Sequence, residues 1–137
     1  KPGVEFSEAY STYSRLAEVV PIPDSAVGAF DYDLALVGLD GLYLDYALNK
    51  VGTLPLLAAA QAKGAVAAAV FESYKAVPLP APMPLTVEVE LAGRRVGVPL
   101  FDRVPHSLFG LFVTDMGVVQ RADPAALFRH ALGKIFN

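Results

Sequence analysis

The sequence predicts an α/β domain: an open, mostly parallel sheet with helices on both faces, in three layers. Leu34 to Leu39 is an unbroken apolar run of strand length, as expected for a strand buried on both faces. A polar segment at 48–53 then leads into an alanine-rich helix that ends at Gly64, and Ala65 to Phe71 is a second apolar run. A strand, a helix and a strand at such short spacing imply parallel strands joined by a right-handed crossover.

The elements before this core are predicted from periodicity and turn residues. Apolar side chains at intervals of three and four predict a helix over 6–20. The apolar residues at 19–22 predict a short strand, and Asp24 or Ser25 can cap a single helical turn that runs to Gly28. The chain then enters the first strand of the core.

The elements of the core and the C-terminal region have recognisable ends. Thr53 can cap the central helix, which Gly64 ends. A last apolar strand is predicted over 108–114. Asp123-Pro124 then opens a C-terminal helix through Leu132, with proline at its first position.

Between these elements the sequence predicts a hairpin extension near 85–98. Prolines at 77–84 exclude regular structure and predict a stiff extended loop. Polar and apolar residues then alternate over 86–91, Gly93 lies at a turn, and 94–98 can return as the partner strand.

Length and composition predict one domain over 1–137 with an apolar excess. The chain has 137 residues, 54% of them hydrophobic, and no internal repeat or low-complexity linker divides it. Its mean hydropathy of +0.43 is high for a soluble domain of this size. An oligomer interface can bury the excess, so we expect a homodimer or higher homo-oligomer whose contact surface includes part of 101–117.

Composition also argues against several function classes. The net charge of −3, with basic residues scattered along the chain, argues against direct nucleic-acid binding. The sequence has no cysteine, and its two histidines are too few for a persuasive metal cluster, so we expect neither metal nor cofactor. The longest apolar stretch, 54–70, is interrupted by polar residues, and no signal-peptide pattern opens the chain. We therefore expect a cytoplasmic protein without a membrane span. The first residue is lysine, which suggests a trimmed or partial product.

Candidate site residues follow the first strand of the core. Asp40 comes directly after the apolar run, where open α/β sheets place ligand-binding groups. A carboxylate there can act as a general acid or base, or accept hydrogen bonds from sugar hydroxyls. Asn49 and Lys50 precede a helix whose free amides at Gly52 and Thr53 favour an anion. We predict Asp40 as the acid–base residue and the other four as binding residues for substrate or phosphate.

Each of these residues also has a purely structural interpretation. Asp40 can belong to a loop salt bridge, Asn49 can cap the helix, and Lys50 can be a solvated side chain. For the remaining polar residues we favour structural roles. Asp24 and Ser25 are expected to cap a turn, Asp102 and Asp115 to fix turns or pair with Arg103 or Arg121, and His106 and His130 to be surface histidines.

Four segments share their order and spacing with a known family. They are Lys1-Pro2 with Glu5, Ile22-Pro23-Asp24-Ser25-Ala26, Gly38-Leu39-Asp40 with Asn49-Lys50-Val51-Gly52-Thr53, and Phe101-Asp102 through Pro105 to Val113-Thr114-Asp115-Met116-Gly117. Together they resemble the signature of the translation initiation factor 2B α/β/δ family, which also contains methylthioribose-1-phosphate and ribose-1,5-bisphosphate isomerases. The resemblance spans nearly the whole chain.

The resemblance implies a Rossmann-like C-terminal domain that lacks the family's N-terminal helical domain and first strand. It further implies that Asp40 takes part in proton transfer during aldose–ketose isomerisation and that Asn49 and Lys50 help to hold the substrate. The isomerases pair this aspartate with an upstream cysteine, which the chain lacks. The family's Asp-Gly turn is also replaced, by Asp45-Tyr46.

Three functions follow from these observations. The first is a non-catalytic or regulatory domain, with a pocket for a sugar phosphate or nucleotide, that works through assembly. The second is a phosphorylated-ribose isomerase whose cysteine lies outside this chain. The third is a structural fragment without a ligand. The absence of cysteine favours the first over the second, and Asp40, Asn49 and Lys50 favour either over the third.

Overall fold

The computed structural model describes residues 5–136, which form three helices and nine strands. Residues Lys1 and Pro2 of the first family-like segment lie outside the described residues. The helices are α1 (Glu5–Tyr13), α2 (Thr53–Lys63) and α3 (Pro124–Phe136). The strands are β1 (Leu34–Val37), β2 (Gly41–Leu42), β3 (Tyr46–Lys50), β4 (Val66–Val70), β5 (Thr86–Leu91), β6 (Arg94–Pro99), β7 (Phe101–Pro105), β8 (Leu111–Thr114) and β9 (Gly117–Val119).

The main sheet has the strand order β1-β4-β8-β9. β1, β4 and β8 are parallel, and β9 returns antiparallel beside β8. The connection from β1 to β4 passes through β2 and β3 and then α2. α2 ends at Gly64, whose φ of 72° lets its amide donate to the carbonyls of Ala60 and Gln61. The α/β fold class and the predicted strand-helix-strand core are therefore confirmed.

Only one face of β1 is buried. Ala35 is buried in the core cluster with Ala67, Ala69 and Leu57 of α2, whereas Leu34 and Leu36 are 52% and 59% exposed. The expectation that Leu34 to Leu39 is buried on both faces is therefore wrong. Among residues 5–136, β1 is also one of the two edge strands of its sheet, because it pairs with β4 alone.

A second sheet, of order β2-β3-β7, replaces the loop expected between Asp40 and the helix. β2 and β3 form a tight antiparallel hairpin, in which the amide of Tyr43 donates to the carbonyl of Tyr46 at 2.9 Å. Asn49 and Lys50 consequently lie in a strand, where Asn49 is opposite Asp102 and Lys50 is opposite Phe101. Both edges of β3 are paired, so these residues are held by backbone hydrogen bonds.

The predicted hairpin is confirmed as β5 and β6, which pair only with each other in the part of the chain that is described. Its two-residue turn, Ala92-Gly93, has positive φ at both positions, 50° and 73°. Two-residue hairpin loops favour positive φ at both turn positions, and glycine adopts this conformation without strain.

The N-terminal and C-terminal elements partly match their predictions. α1 ends at Tyr13, well before the predicted end at residue 20, and no strand forms at 19–22. Pro21 and Pro23 lack amide donors, which explains why this segment pairs with no strand. The strand predicted over 108–114 begins at residue 111 and is followed by a further strand, β9. α3 begins at Pro124 as predicted, capped by Asp123, whose Oδ1 accepts a hydrogen bond of 2.9 Å from the amide of Ala125.

Candidate functional site

The first turn of α2 is capped by a side chain from a distant strand. Oδ2 of Asp102, in β7, accepts hydrogen bonds from the amides of Gly52 at 2.9 Å and Leu54 at 2.8 Å. A carboxylate at this position satisfies unpaired amides and interacts favourably with the positive end of the helix dipole. The Asp102 carboxylate therefore occupies the anion position at this helix start. Asp102 has a structural role, as expected, but its partners are backbone amides and not an arginine.

Asn49 and Thr53 stabilise the same helix start, although Thr53 is its first helical residue and Gly52 occupies the cap position expected for Thr53. Nδ2 of Asn49 donates to Oγ1 of Thr53 at 2.9 Å, and that hydroxyl donates to the carbonyl of Lys50 at 2.7 Å. Gly52 precedes the helix with a φ of 102°, a left-handed conformation that favours glycine. The polar groups of this segment thus fix the entry from β3 into α2.

Strand alternation places Asn49 and Lys50 on opposite faces of the second sheet. Ala47 and Val104 are fully buried, so the face they share with Asn49 and Asp102 is the one directed at the core. Lys50 shares the other face with Leu48, two residues before it in β3. The prediction that Asn49 and Lys50 lie beside one crevice is therefore wrong, because the two side chains point to opposite faces of the sheet.

Asp40 lies on the rim of a cleft on the Lys50 side of the sheet. Its amide donates to the carbonyl of Leu48 at 2.9 Å, while its carboxylate makes no hydrogen bond or ion pair within residues 5–136. The cleft has a volume of about 230 Å³. It is lined by Asp40, Tyr43, Leu48, Pro82, Met83, Pro84, Leu85 and Phe101. An exposed carboxylate and a phenol therefore border a mainly apolar cavity.

The proline-rich loop that forms one wall of this cleft is tied down by Asp45. Its Oδ1 accepts a hydrogen bond from the amide of Ala81 at 2.7 Å, and its Oδ2 lies 3.3 Å from the guanidinium of Arg103. The Ala81 amide, helped by Arg103, lowers the pKa of Asp45 below its ordinary value. Arg103 also stacks over the ring of Tyr46 at 4.4 Å and lies 3.8 Å from Sδ of Met83. The sequence marked Asp45 only as a departure from the family's turn; its link to residue 81 carries no local signal.

A lysine that the sequence analysis passed over lies beside Asp40. Nζ of Lys75 donates to the carbonyl of Leu39 at 2.8 Å, at the carboxyl end of β1. Lys75 lies in the short turn at Ser73–Lys75, and this turn could not be linked to β1 without knowledge of the strand order. A positive charge is therefore held close to the candidate acid–base residue.

Asp24 lies in a second cavity, of about 220 Å³, on the side of α2. Leu56 of the helix and Gly52 border this cavity together with Asp24. The turn at Asp24–Ala26 follows Pro23 and has no side-chain cap hydrogen bond, so the capping role expected for Asp24 and Ser25 is wrong.

Asp115 forms a polar cluster that joins α3 to the turn after β4. Its carboxylate accepts hydrogen bonds from the amide and hydroxyl of Ser73 at 2.7 and 2.9 Å, and from the ammonium of Lys134. Nε2 of His130 lies 3.4 Å from the same carboxylate. Lys134 foremost, followed by Ser73, holds the pKa of Asp115 well below its usual range. The structural role expected for Asp115 is observed, with Lys134 and His130 in place of the predicted arginines.

The histidines are half-buried and not on the open surface. His106 packs edge-on against Phe112, with ring centroids 6.4 Å apart. Within the described residues, 5–136, no group of three or more His, Cys, Asp or Glu side chains could hold a metal ion. No helix of that same range is long and apolar enough to cross a membrane.

No family model matches the sequence, and no curated protein matches it. Solved structures do match. Translation initiation factor eIF-2B from Pyrococcus horikoshii OT3 has a TM-score of 0.76 and 25% identity, over 86% of this chain and 44% of its own. The delta subunit of eIF-2B from A. fulgidus has a TM-score of 0.74 and 19% identity, over 89% of this chain and 42% of its own. The 5-methylthioribose 1-phosphate isomerase from P. horikoshii OT3 has a TM-score of 0.70 and 24% identity, over 93% of this chain and 40% of its own.

The chain is therefore an α/β domain with a mainly parallel sheet of the kind found in these three proteins. The resemblance to the translation initiation factor 2B family, predicted from four short segments, is confirmed at the level of the fold. The chain spans less than half the length of each of these structures.

Proposed function

We propose that this chain is a non-catalytic or regulatory domain related to initiation factor 2B, which works in the cytoplasm through assembly and not through turnover. The observation that supports this proposal is the cap at α2. The amides of Gly52 and Leu54 donate to Asp102, so a phosphate at this helix start would have to displace a carboxylate that is already bonded. The chain also has no cysteine to act as the second acid–base group of an isomerase.

A pocket for a sugar phosphate or nucleotide belongs, in this proposal, to the Asp40 cleft. The carboxylate of Asp40 can accept hydrogen bonds from ribose hydroxyls, and the apolar wall can cover the rest of a small ligand. Lys50 lies on the same face of the sheet and is our candidate for the phosphate contact. Asn49, Gly52 and Thr53 then contribute by fixing the backbone that carries Lys50.

A second function, isomerisation of a phosphorylated ribose, is favoured by one observation. The Asp40 carboxylate has no hydrogen-bond partner in the described part of the chain and borders the cleft together with the phenol of Tyr43. An unpaired carboxylate in such a place can take up a proton from a substrate. In this alternative the thiol comes from outside the chain.

Titration and an activity assay separate the two functions. Ribose-1,5-bisphosphate, methylthioribose-1-phosphate and AMP are titrated calorimetrically, and ketose formation is followed in parallel. We expect weak binding of at least one compound without turnover. Lys50→Ala should then weaken binding by about tenfold, as for loss of a charge-assisted hydrogen bond.

Lys63→Ala is the matched control, because Lys63 pairs with Asp31 at the far end of α2. It should leave the affinity unchanged. Ketose formation by these residues alone would overturn the first function. Absence of binding for all three compounds would restrict the chain to a structural role in assembly.

A further inference from the structure

The peptide that joins Leu39 to Asp40 is held from both sides. On one side, the amide of Asp40 donates to the carbonyl of Leu48 in β3 at 2.9 Å. On the other side, the carbonyl of Leu39 accepts a hydrogen bond of 2.8 Å from Nζ of Lys75. The N–H and C=O of a trans peptide point in opposite directions, so these two bonds together fix the plane of the peptide that leads into Asp40.

The turn that carries Lys75 is itself anchored at both ends. At its start, Ser73 is 2% exposed, and its amide donates to Oδ1 of Asp115 at 2.7 Å. After the turn, the amide of Val77 donates to the carbonyl of Leu42 in β2 at 2.8 Å. Lys75 therefore reaches the carboxyl end of β1 from a fixed base.

The charge of Lys75 is not used in an ion pair within residues 5–136. Its ammonium has no carboxylate partner there, and its hydrogen bond goes to the Leu39 carbonyl. Lys75 is half-buried, and a charged group in such a place costs free energy when it lacks a counter-ion. A lysine that only stabilised the fold would gain more from a carboxylate. Its position therefore points to the residue that follows the Leu39 carbonyl, which is Asp40.

The side chain of Asp40 has no support of its own. Its carboxylate makes no hydrogen bond or ion pair within residues 5–136, and it lies on the rim of the cleft that Tyr43 and Phe101 also line. The two oxygens of a carboxylate can accept hydrogen bonds from the two neighbouring hydroxyls of a ribose. Such recognition requires that the surrounding residues hold the carboxylate in place. For Asp40 this can come only through its backbone.

We propose that Lys75 is the positioning residue of the Asp40 cleft, and that the carboxylate it positions binds the vicinal diol of a ribose. Lys75 fixes the peptide before Asp40 and so acts through Asp40, without a contact of its own to the ligand. The inference rests on the proposed function, because it concerns the same cleft. It narrows the ligand to a compound whose ribose carries both hydroxyls.

Hydrogen exchange tests the backbone clamp without any ligand. Lys75→Met keeps most of the apolar stem of the side chain and removes its donor. The Asp40 amide should then exchange about tenfold faster, because its peptide is held from one side only. The Gly52 amide, which is bonded to Asp102, should exchange at the wild-type rate. Equal protection of the Asp40 amide in both proteins would overturn the proposal.

Calorimetric titration with AMP tests whether Lys75 acts through Asp40. Lys75→Met and Asp40→Ala should each weaken AMP binding by about tenfold. The double variant should bind within about twofold of either single variant, because a positioning residue has no effect once the group that it positions is gone. Lys75→Arg keeps a donor and should stay within about threefold of wild type. Circular dichroism checks that each variant is folded.

Lys63→Met is the matched control for the loss of one positive charge. Lys63 pairs with Asp31 at the far end of α2, so this variant should bind AMP with the wild-type affinity.

Titration with 2′,3′-dideoxy-AMP separates positioning from direct contact. This compound lacks both hydroxyls, so the wild-type protein and Lys75→Met should bind it with equal affinity. A weaker affinity of Lys75→Met for it, or a loss of about a hundredfold in AMP binding by the double variant, would mean that Lys75 contacts the phosphate and would overturn the proposal. Absence of AMP binding by the wild-type protein would overturn it too. The ligand-binding part of the proposed function, in contrast, fails only if none of its three compounds binds.

Discussion

Asp102→Ala tests the cap on α2 directly. Replacing a capping residue costs about 0.5–2 kcal/mol, and loss of the charge at a helix start adds about 0.3–1 kcal/mol. Since one carboxylate oxygen accepts from both Gly52 and Leu54, we take a loss of about 2 kcal/mol in the free energy of unfolding. With about 2.1 cal/mol/K of unfolding entropy per residue over 137 residues, this loss lowers Tm by about 7 °C.

Asp102→Asn separates the hydrogen bonds from the charge. The amide oxygen of asparagine can accept from the same two amides, so this variant should lose only about 0.5–1 kcal/mol. Asp40→Ala, at a carboxylate without a partner in the described chain, is the control and should change stability by less than about 0.5 kcal/mol. Urea and thermal denaturation provide the measurements.

Inorganic phosphate adds a further readout to the same experiment. Once Asp102→Ala has freed the amides of α2, phosphate should raise the Tm of this variant more than that of the wild-type protein, because it binds the vacated helix start. An Asp102→Ala variant with the Tm of the wild-type protein would refute the capping argument. A phosphate response equal in both proteins would show that these amides do not form the anion site.

Three other changes probe the rest of the chain. Because Lys134 foremost, and Ser73, lower the pKa of Asp115 from 3.8 in the folded state, this carboxylate stabilises the fold above about pH 4 and loses its contribution as the pH falls below that value. Asp115→Asn should therefore flatten the acid limb of a plot of urea midpoint against pH, and an unchanged limb would contradict the cluster's role. Gly64→Ala places a side chain at a φ of 72° and should cost about 1 kcal/mol by urea denaturation. Gly133→Ala meets no neighbour within 4 Å in α3 and should gain about 0.5 kcal/mol by the same measurement; a loss there would mean that α3 needs its glycine.

Local signals were enough to predict much of the fold. The glycine that ends α2, the proline that starts α3 and the alternation of β5 and β6 each act over a few residues. α2 and the hairpin were predicted close to their observed bounds, and α3 starts as predicted but runs four residues past its predicted end at Leu132. The prediction that α1 extends to residue 20 failed. The apolar period continues past Tyr13, but Phe6 and Tyr13 remain 61% and 60% exposed, so packing does not support a longer helix.

The candidate site was harder to predict, because its geometry depends on pairs of residues that are distant in sequence. Asn49 and Lys50 preceded a helix, as expected, but strand pairing with β7 set them on opposite faces. The prediction of free amides at Gly52 and Thr53 assumed that no acidic side chain lies near them. Asp102 provides one from 50 residues away, and no local pattern indicates this.

The distance in sequence between α2 and its cap has a consequence for how the chain folds. Closing a loop of this length costs conformational entropy before any contact compensates for it. During synthesis, β2, β3 and α2 emerge well before Asp102, so the first turn of α2 has to wait for β7 to pair with β3. The helix start and the β3–β7 ladder should therefore become protected from hydrogen exchange in the same kinetic step, late in folding.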